Sequence, residues 1–162
     1  MKILAISGSG IGAGKTTLAK SLSKDVWSLA GAMRAELEVI YPGYSWFNKD
    51  QAYKADTIIR EYKRGSSSMR QVLIEHGQDR CVETPDYWIA ALSSKIKSMD
   101  QVASGITTIA IDDVRKVLEI EYLRRKFSDV VHIHIDYYGS VKEAEFENDA
   151  LLEIANYVVQ RK

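Results

Sequence analysis

A lysine and two threonines follow closely spaced glycines near the start of the sequence. Glycines allow successive backbone N–H groups to converge on one anion, and a lysine side chain adds a full positive charge. A threonine hydroxyl directly after that lysine is placed to bind Mg²⁺. The pattern indicates a phosphate-binding loop (P-loop) for ATP or GTP. Its candidate nucleotide-binding residues are Gly10, Ile11, Gly12, Ala13, Gly14, Lys15, Thr16 and Thr17.

The spacing of this loop departs from G-x-x-x-x-G-K-[ST] at one position. Counted back from Gly14 and Lys15, the first glycine of the pattern falls on Ser9, which lies between Gly8 and Gly10. Either Ser9 tolerates the turn, or the loop is one residue longer and begins at Gly8. Three glycines follow Ser9 in both cases, so the P-loop interpretation holds in either register.

The elements on either side of the loop have the order that a P-loop needs. Ile3–Ile6 is a branched apolar run, the pattern of a strand buried on both faces. Thr16 to about Lys24 is predicted to be a helix with Leu18, Ala19 and Leu22 facing inward. Strand, loop and helix in this order place the positive end of the helix dipole at the bound anion.

A second apolar strand ends in two acids. Ile106–Ile111 is followed by Asp112 and Asp113, the Walker B pattern, in which a carboxylate holds Mg²⁺ directly or through water. Thr16 and one of these two acids, Asp112 or Asp113, are therefore the predicted metal ligands, and Asp112 is the acid selected. Further strands are predicted at Val26–Ala30 and Asp129–Ile135.

Helices are predicted between and after these strands, and together they indicate an α/β fold with a short parallel sheet flanked by helices. Gly77 is expected to end or bend one of them, and Thr84 to cap the start of another. A turn is predicted at 41–44 and a loop at 99–105. The predicted helices cover Gly31–Ile40, Gln51–Lys63, Met69–Arg80, Thr84–Ile96, Val114–Phe127 and most of Val141–Gln160.

Several conspicuous side chains have structural interpretations beside functional ones. Trp46 and Phe47 could stack on a base, but a core role is favoured for them. His76 is expected to be structural or solvated. His132 and His134 share one face of a predicted strand, and without a third ligand a metal site there is not favoured.

Composition limits the class of protein. The 162 residues fit a single domain, and 46% apolar residues exclude a disordered chain. A formal net charge of zero predicts no general nucleic-acid surface, and no apolar run is long enough for a membrane span. The lone Cys81 and the lack of a signal-peptide pattern favour a reducing cytoplasm as the location.

The order of these segments resembles the phage-type deoxynucleoside monophosphate kinases. The matching segments are GSGIGAGKTTLA, RQVLIEHGQDR with DYWIAAL after it, and AIDDVRKVLEIEYL, and they span most of the chain. The strand that ends in Asp113-Val114-Arg115, with a glutamate soon after, is the most discriminating of them. The resemblance implies a three-layer P-loop kinase fold, and the location would be the host cytoplasm if the chain is phage-encoded.

The resemblance also implies roles for individual residues. Lys15, Asp113 and Arg115 would be catalytic, with ATP and Mg²⁺ as cofactors. Arg124 would lie with Arg125 in a segment that closes over ATP. The acceptor would be a small-molecule nucleotide, and a homodimer is left open. The implied acceptor-binding residues are Arg34, Arg70, Arg80, Trp88, Asp113 and Arg115.

Other functions stay open beside this one. Animal-type phosphomevalonate kinases share similar elements, so the acceptor could be another phosphorylated small molecule or a modified nucleotide. A nucleotide-binding switch or assembly ATPase without a small-molecule acceptor is the alternative from a different class. Such a protein would hydrolyse ATP in response to a partner.

Overall fold

The computed structural model describes residues 1–10, 12–48, 50–102, 105, 107–137 and 147–161. Two compact units are present, residues 1–29 with 89–162 and residues 30–88, while the single domain expected from the sequence stays a prediction. The strands are β1 (Lys2–Gly8), β2 (Asp25–Trp27), β3 (Ile58–Ile59), β4 (Ser67–Ser68), β5 (Thr108–Ile111), β6 (Val130–Tyr137) and β7 (Tyr157–Arg161). The helices are α1 (Lys15–Leu22), α2 (Leu29–Ile40), α3 (Gln51–Asp56), α4 (Met69–Glu83), α5 (Tyr87–Val102), α6 (Val117–Lys126) and α7 (Asn148–Glu153).

The first unit contains a five-stranded parallel sheet in the order β2-β5-β1-β6-β7, which confirms the α/β fold with a parallel sheet flanked by helices. The central strand β1 is buried from Ile3 to Gly8, as its apolar run predicts. Ile3 pairs with Ile109 on one side and with Val130 on the other. Because all five strands are parallel, their carboxyl ends lie at one edge of the sheet, where such folds bind ligands.

The second unit has its own apolar core. Trp46 is fully buried in it, together with Leu37 of α2, Ile59 of β3 and Met69 of α4. The indole N–H of Trp46 donates to the Tyr41 carbonyl at 3.0 Å, so its polar atom is satisfied. The core role favoured for Trp46 is therefore what the structure shows.

The second unit departs from the predictions at four places. The helix expected over Gln51–Lys63 ends at Asp56, because Ile58–Ile59 forms an antiparallel pair with Ser67–Ser68. The β-branched sequence Thr57-Ile58-Ile59 favours a strand over a helix. Gly77 does not end its helix, which continues to Glu83. Thr84 closes α4 instead of starting the next helix, and Phe47 is 50% exposed.

The helix predicted for the C-terminal stretch is wrong over its second half. Within the described part of this stretch, Asn148–Glu153 is helical and Tyr157–Arg161 forms the edge strand β7, parallel to β6. The apolar residues fit helical spacing, but Tyr157-Val158-Val159 has high strand propensity and pairs with β6. Asn156 fixes the entry to this strand, since its N–H donates to the His132 carbonyl and its side chain accepts from the His132 N–H. Residues 141–146 of that prediction lie outside the described residues.

Element boundaries in the first unit differ because of contacts that are distant in sequence. The strand predicted at Val26–Ala30 is Asp25–Trp27, since the Asp113 carboxylate accepts from the Leu29 N–H at 2.7 Å and begins α2 there. The helix expected from Val114 begins at Val117. The loop predicted at 99–105 is helical to residue 102, and Leu22 is 44% exposed instead of inward-facing. None of the helices among the described residues is long and apolar enough to cross a membrane.

Candidate active site

The loop after β1 has the backbone of a phosphate cradle. Gly10, Gly12 and Gly14 all have positive φ, at 147°, 82° and 91° respectively. At 82° and 91° a side chain would be strained, which is why glycine is needed at those two positions. Ala13 between them is buried, and Ile11 lies outside the described residues.

Ser9, the residue that departs from the usual loop pattern, has a structural role. It is buried, its N–H donates to the Ile135 carbonyl at 3.0 Å, and its hydroxyl accepts from the Tyr137 N–H at 2.9 Å. The position that is too closely packed for a side chain is Gly8, where a Cβ atom would lie 3.0 Å from the Ile135 carbonyl oxygen. Strand β1 includes Gly8, so the turn begins at Ser9. The serine fastens the loop to the end of β6, which a glycine could not do with a side chain.

Lys15 and Thr16 begin helix α1 directly after Gly14. The N-cap Gly14 supplies no side-chain hydrogen bond to the first turn of α1, and the N-terminus of a helix favours an anion. The Lys15 ammonium donates to the Gly10 carbonyl at 2.6 Å, across the loop. The Thr16 hydroxyl donates to the Asp112 carboxylate at 2.6 Å. The structure therefore brings together the two residues predicted from separate segments to hold Mg²⁺.

The turn after β5 is held by a carboxylate that sequence reasoning did not select. Glu119 accepts from the backbone N–H of Arg115 at 2.7 Å and of Lys116 at 3.1 Å. Burial raises the pKa of Glu119 to about 7, against the lowering effect of these two bonds. Glu119 is the glutamate that follows Asp113-Val114-Arg115 in the sequence, and its place in the first turn of α6 is the signal that could have identified it. Arg115 thus lies on a turn whose backbone is fixed, and the Asp113 carboxylate before it binds Leu29.

The arginines predicted to bind the acceptor differ in their surroundings within the second unit. Arg80 donates through Nε to the Glu36 carboxylate at 2.9 Å, and its second nitrogen makes a further short contact there. Arg70 is exposed in the first turn of α4. Arg34 has a buried Nε without a hydrogen-bond partner among the described residues. The N–H of a buried guanidinium nitrogen in that state can donate a hydrogen bond to an anionic ligand.

Glu36 contacts several polar side chains within the second unit. Burial would raise the pKa of Glu36, but bonds from Arg80 and Tyr87 hold it below its ordinary value. Desolvation lowers the pKa of His76, which lies 3.2 Å from the Glu36 carboxylate. Trp88 donates its indole N–H to the Gly77 carbonyl, so it has a structural bond here. A cleft of about 240 Å³ is lined by Ile40, Tyr41, Lys63, His76, Asp79, Arg80 and Glu83.

Two histidines of β6 and two arginines of α6 were also singled out in the sequence of the first unit. The Ser7 hydroxyl bridges His132 Nε2 at 2.7 Å and His134 Nδ1 at 2.8 Å, and all three side chains are buried. Among the residues that the structure describes, no three His, Cys, Asp or Glu side chains are arranged to hold a metal ion. Arg124 donates to the Ile154 carbonyl at 3.1 Å, and Arg125 lies over the Tyr122 ring.

Two further residues contact the phosphate loop and were missed by sequence reasoning. The Asn148 side-chain amide donates to the Ser9 carbonyl at 3.4 Å, and Arg161 donates to the Gly12 carbonyl at 3.1 Å. Both follow β6 in the chain, more than 130 residues after the loop they contact. The stretch was predicted to be helical, and only its assignment as a sheet strand could have placed Arg161 at the loop.

Comparison with solved structures finds a similar fold in two kinases. The chain is similar to a sugar kinase from a Janibacter species, at 15% identity and a TM-score of 0.51, over 99% of this chain and 85% of that one. It is also similar to a dephospho-CoA kinase from Campylobacter jejuni, at 13% identity and a TM-score of 0.52, over 100% of this chain and 89% of that one. No family model and no curated protein matches the sequence. At these identities the likeness shows a shared fold.

Proposed function

We propose that this chain is a phosphotransferase that moves the γ-phosphoryl group of ATP to a (deoxy)nucleoside monophosphate. The observation that carries the proposal is the bond of 2.6 Å between Thr16 and Asp112. It joins the loop that would hold the phosphates to the acid that ends a neighbouring strand. A glycine-rich turn without a ligand has no need for this hydroxyl and carboxylate side by side.

The described residues fit a magnesium nucleotide. The N-terminus of α1 and the Lys15 ammonium would hold the β- and γ-phosphates, and a phosphate oxygen would then take the place of the Gly10 carbonyl as a partner of the ammonium. Thr16 and Asp112 offer oxygen ligands of the kind that Mg²⁺ prefers. When bound, the ion would neutralise charge on the phosphate oxygens.

The chemistry asks for alignment and positive charge more than for a nucleophile on the protein. An oxygen of the acceptor phosphate forms a bond to the γ-phosphorus, the bond from phosphorus to the β–γ bridging oxygen breaks, and ADP leaves with that electron pair. A monophosphate is already ionised at neutral pH, so it needs no general base. We propose that Arg115 stabilises the negative charge that develops on the phosphate oxygens during transfer, because its guanidinium can contact two phosphate oxygens at once.

The monophosphate acceptor is supported by the arginines of the second unit. Arg34 carries a buried, unpartnered Nε among the described residues, and Arg80 is already paired with Glu36. We therefore propose that Arg34 is the main residue that binds the acceptor phosphate. Arg80 orders the site through its pairing with Glu36. The segments shared with the phage-type deoxynucleoside monophosphate kinases support the same acceptor class.

A kinase of the same fold with another acceptor is the second candidate. The similar structures are described as a sugar kinase and a dephospho-CoA kinase, which favours a small-molecule acceptor over a protein partner. Such an acceptor would be phosphorylated by the same loop and Mg²⁺ ligands. The two candidates differ only in what the second unit recognises.

A panel of acceptors tests the proposal. The protein is incubated with ATP and Mg²⁺ and with (deoxy)nucleoside monophosphates, the matching nucleosides, sugars, other phosphorylated small molecules, or no acceptor. We expect diphosphate formation from at least one nucleoside monophosphate and no reaction with the matching nucleoside. Turnover confined to sugars or other phosphorylated compounds would establish the second candidate, and ATP hydrolysis without an acceptor would contradict both. A Lys15→Ala preparation controls for contaminating kinases.

A further inference from the structure

Arg161 lies against the phosphate loop although it comes from the far end of the chain. Its Nη1 donates to the Gly12 carbonyl at 3.1 Å, and a Cβ atom at Gly14 would lie 2.9 Å from the same nitrogen. Its guanidinium also lies over the Tyr137 ring, 4.7 Å from the ring centroid. Tyr137 and Arg161 are paired residues of β6 and β7, so the strand register holds them side by side.

A bond to the Gly12 carbonyl constrains the direction of an amide in the loop. The peptide between Gly12 and Ala13 is planar and trans, so its N–H points away from its carbonyl. Glycine peptides turn over readily, and Gly12 has positive φ and open space around it. Arg161, by holding the carbonyl, fixes the opposite direction for the Ala13 N–H.

The same part of the sheet holds the loop at a second place. Ser9 is bonded to the end of β6, and Asn148, at the start of α7, donates to the Ser9 carbonyl. Ser9 lies before the glycine-rich stretch, whereas Arg161 contacts its middle. Among the described contacts of Gly12 and Gly14, Arg161 is the side chain from outside the loop.

We infer that Arg161 is a positioning residue for the donor nucleotide. It holds the Gly12–Gly14 segment in the shape that binds phosphate, and the Tyr137 ring holds its guanidinium in place. The affinity for the phosphate chain of the nucleotide then depends on β7. This inference rests on the proposed function, since it concerns the loop that would bind ATP. The alternative is that Arg161 is an exposed strand residue without a role at the loop, in which case its removal changes nothing there.

Binding of two ligands and the exchange of loop amides test the inference. Wild type, Arg161→Ala and the matched control Gln160→Ala, a neighbouring exposed residue of β7, are titrated with ATP and with inorganic tripolyphosphate. We expect Arg161→Ala to raise both dissociation constants about fivefold to tenfold, and Gln160→Ala to leave them within twofold, because charge-assisted hydrogen bonds contribute on this order. A loss for ATP alone would place Arg161 at the base and overturn the inference.

Hydrogen exchange in the protein without nucleotide separates positioning from direct phosphate contact. We expect faster exchange in the peptide covering residues 9–16 of Arg161→Ala and unchanged exchange in Gln160→Ala. Weaker binding with unchanged exchange would contradict positioning. Tyr137→Leu should raise the same dissociation constants, and the double variant should show less than the product of the two effects. Full multiplicativity would mean that the ring does not act through Arg161.

The same titrations distinguish failure of the inference from failure of the proposed function. If wild type binds neither ATP nor tripolyphosphate, the proposed function is contradicted. If wild type binds both and Arg161→Ala binds them equally well, the proposed function stands and the inference is overturned. Arg161→Lys serves as a second variant if the alanine variant does not fold. It keeps the charge without the planar fork, and we expect it to recover less than half of the lost affinity on a logarithmic scale.

Discussion

The cations of the phosphate loop and those of the second unit have different partners. At the loop, Lys15 donates to the backbone carbonyl of Gly10, and Arg161 of β7 donates to that of Gly12. In the second unit, Arg80 is paired with the Glu36 carboxylate. A phosphate can displace a neutral carbonyl from a cation far more easily than it can displace a carboxylate.

This difference in partners suggests that the phosphate loop binds phosphate by general means, whereas binding in the second unit depends on particular side chains. The phosphate loop is built mainly from a short stretch of backbone, so under the proposed function it would bind the phosphate chain of a nucleoside triphosphate with little regard to the base. The acceptor region is a set of side chains whose charges are partly neutralised by one another, so its free charge depends on individual pairs. Arg34 has a buried Nε without a hydrogen-bond partner among the described residues, in contrast to the paired guanidinium of Arg80. Variants in the two regions should therefore fail in different ways.

The largest effect is expected at Lys15. Lys15→Ala removes the charge that faces the phosphates, and we expect a fall in kcat of about 10²–10³-fold with weaker ATP binding. The melting temperature should stay within about 2 °C of wild type, because Lys15 is not a fully buried residue and its ammonium donates to a loop carbonyl. Steady-state kinetics and thermal unfolding measure both. The matched control is Lys20→Ala, an exposed lysine of the same helix, and wild-type turnover in Lys15→Ala would break the comparison at its donor side.

Two adjacent aromatic residues test whether the second unit depends on its own core. Trp46 is fully buried and Phe47 is 50% exposed. Trp46→Ala should cost about 3–5 kcal/mol of unfolding free energy, and Phe47→Ala less than about 0.5 kcal/mol. Denaturant titration gives both values. Equal costs for the two variants would mean that Trp46 does not organise this core.

The acceptor arginines sharpen the comparison from the other side. Arg34→Met should raise the KM for the monophosphate about tenfold or more and leave the KM for ATP within twofold, since a charge-assisted bond is lost at one site only. Arg80→Met should instead lower the melting temperature, because Glu36 loses its guanidinium partner. Kinetics with each substrate varied in turn distinguish them. Equal changes in both KM values for Arg34→Met would remove Arg34 from the acceptor site.

The smallest effect concerns the turn that carries Arg115. Burial raises the pKa of Glu119 to about 7, above its ordinary value of 4.5. Between these two values the folded state binds the proton more tightly, so this contribution to stability is present at low pH and is lost as pH rises to 7. Glu119→Gln should therefore raise the unfolding free energy at pH 8 and leave it unchanged at pH 4.5. The full shift would correspond to roughly 3 kcal/mol. Because Glu119 is only partly buried and water screens its charge, we expect about 1 kcal/mol, or about 3 °C.

The control for that prediction is Glu121→Gln, an exposed residue of the same helix. Its difference from wild type should not change with pH. Using the difference between variants also cancels the opposite trend of His132, whose pKa is lowered to about 4 by burial. A lower melting temperature of Glu119→Gln at pH 8 would mean that the ionised carboxylate stabilises the turn.

The sequence predicted what short-range chemistry determines. The strand before the loop, the three glycines, and the Thr16–Asp112 association follow from local pattern and from the geometry of parallel sheets. The strand β7 was not predicted, because its apolar residues also fit a helix and only pairing with β6 decides between the two. Likewise the start of α2 depends on Asp113, 84 residues away, which no local window contains.

The site was less predictable where charge pairing matters. The sequence shows that Arg34 and Arg80 exist, but it cannot show that Glu36 neutralises one of them. Ser9 looked like a defect of the loop, and in the structure its hydroxyl bonds to the end of β6. Both facts depend on contacts between distant residues.

The measurement that tests the central claim most directly is ³¹P NMR of the complete reaction. The protein is mixed with ATP, Mg²⁺ and the best monophosphate from the acceptor panel, and the phosphorus signals are followed until ATP is consumed. We predict that the γ-phosphate signal of ATP is replaced, one for one, by the β-phosphate signal of a new nucleoside diphosphate, with no inorganic phosphate. Inorganic phosphate appearing in place of that diphosphate would show an ATPase and contradict the account.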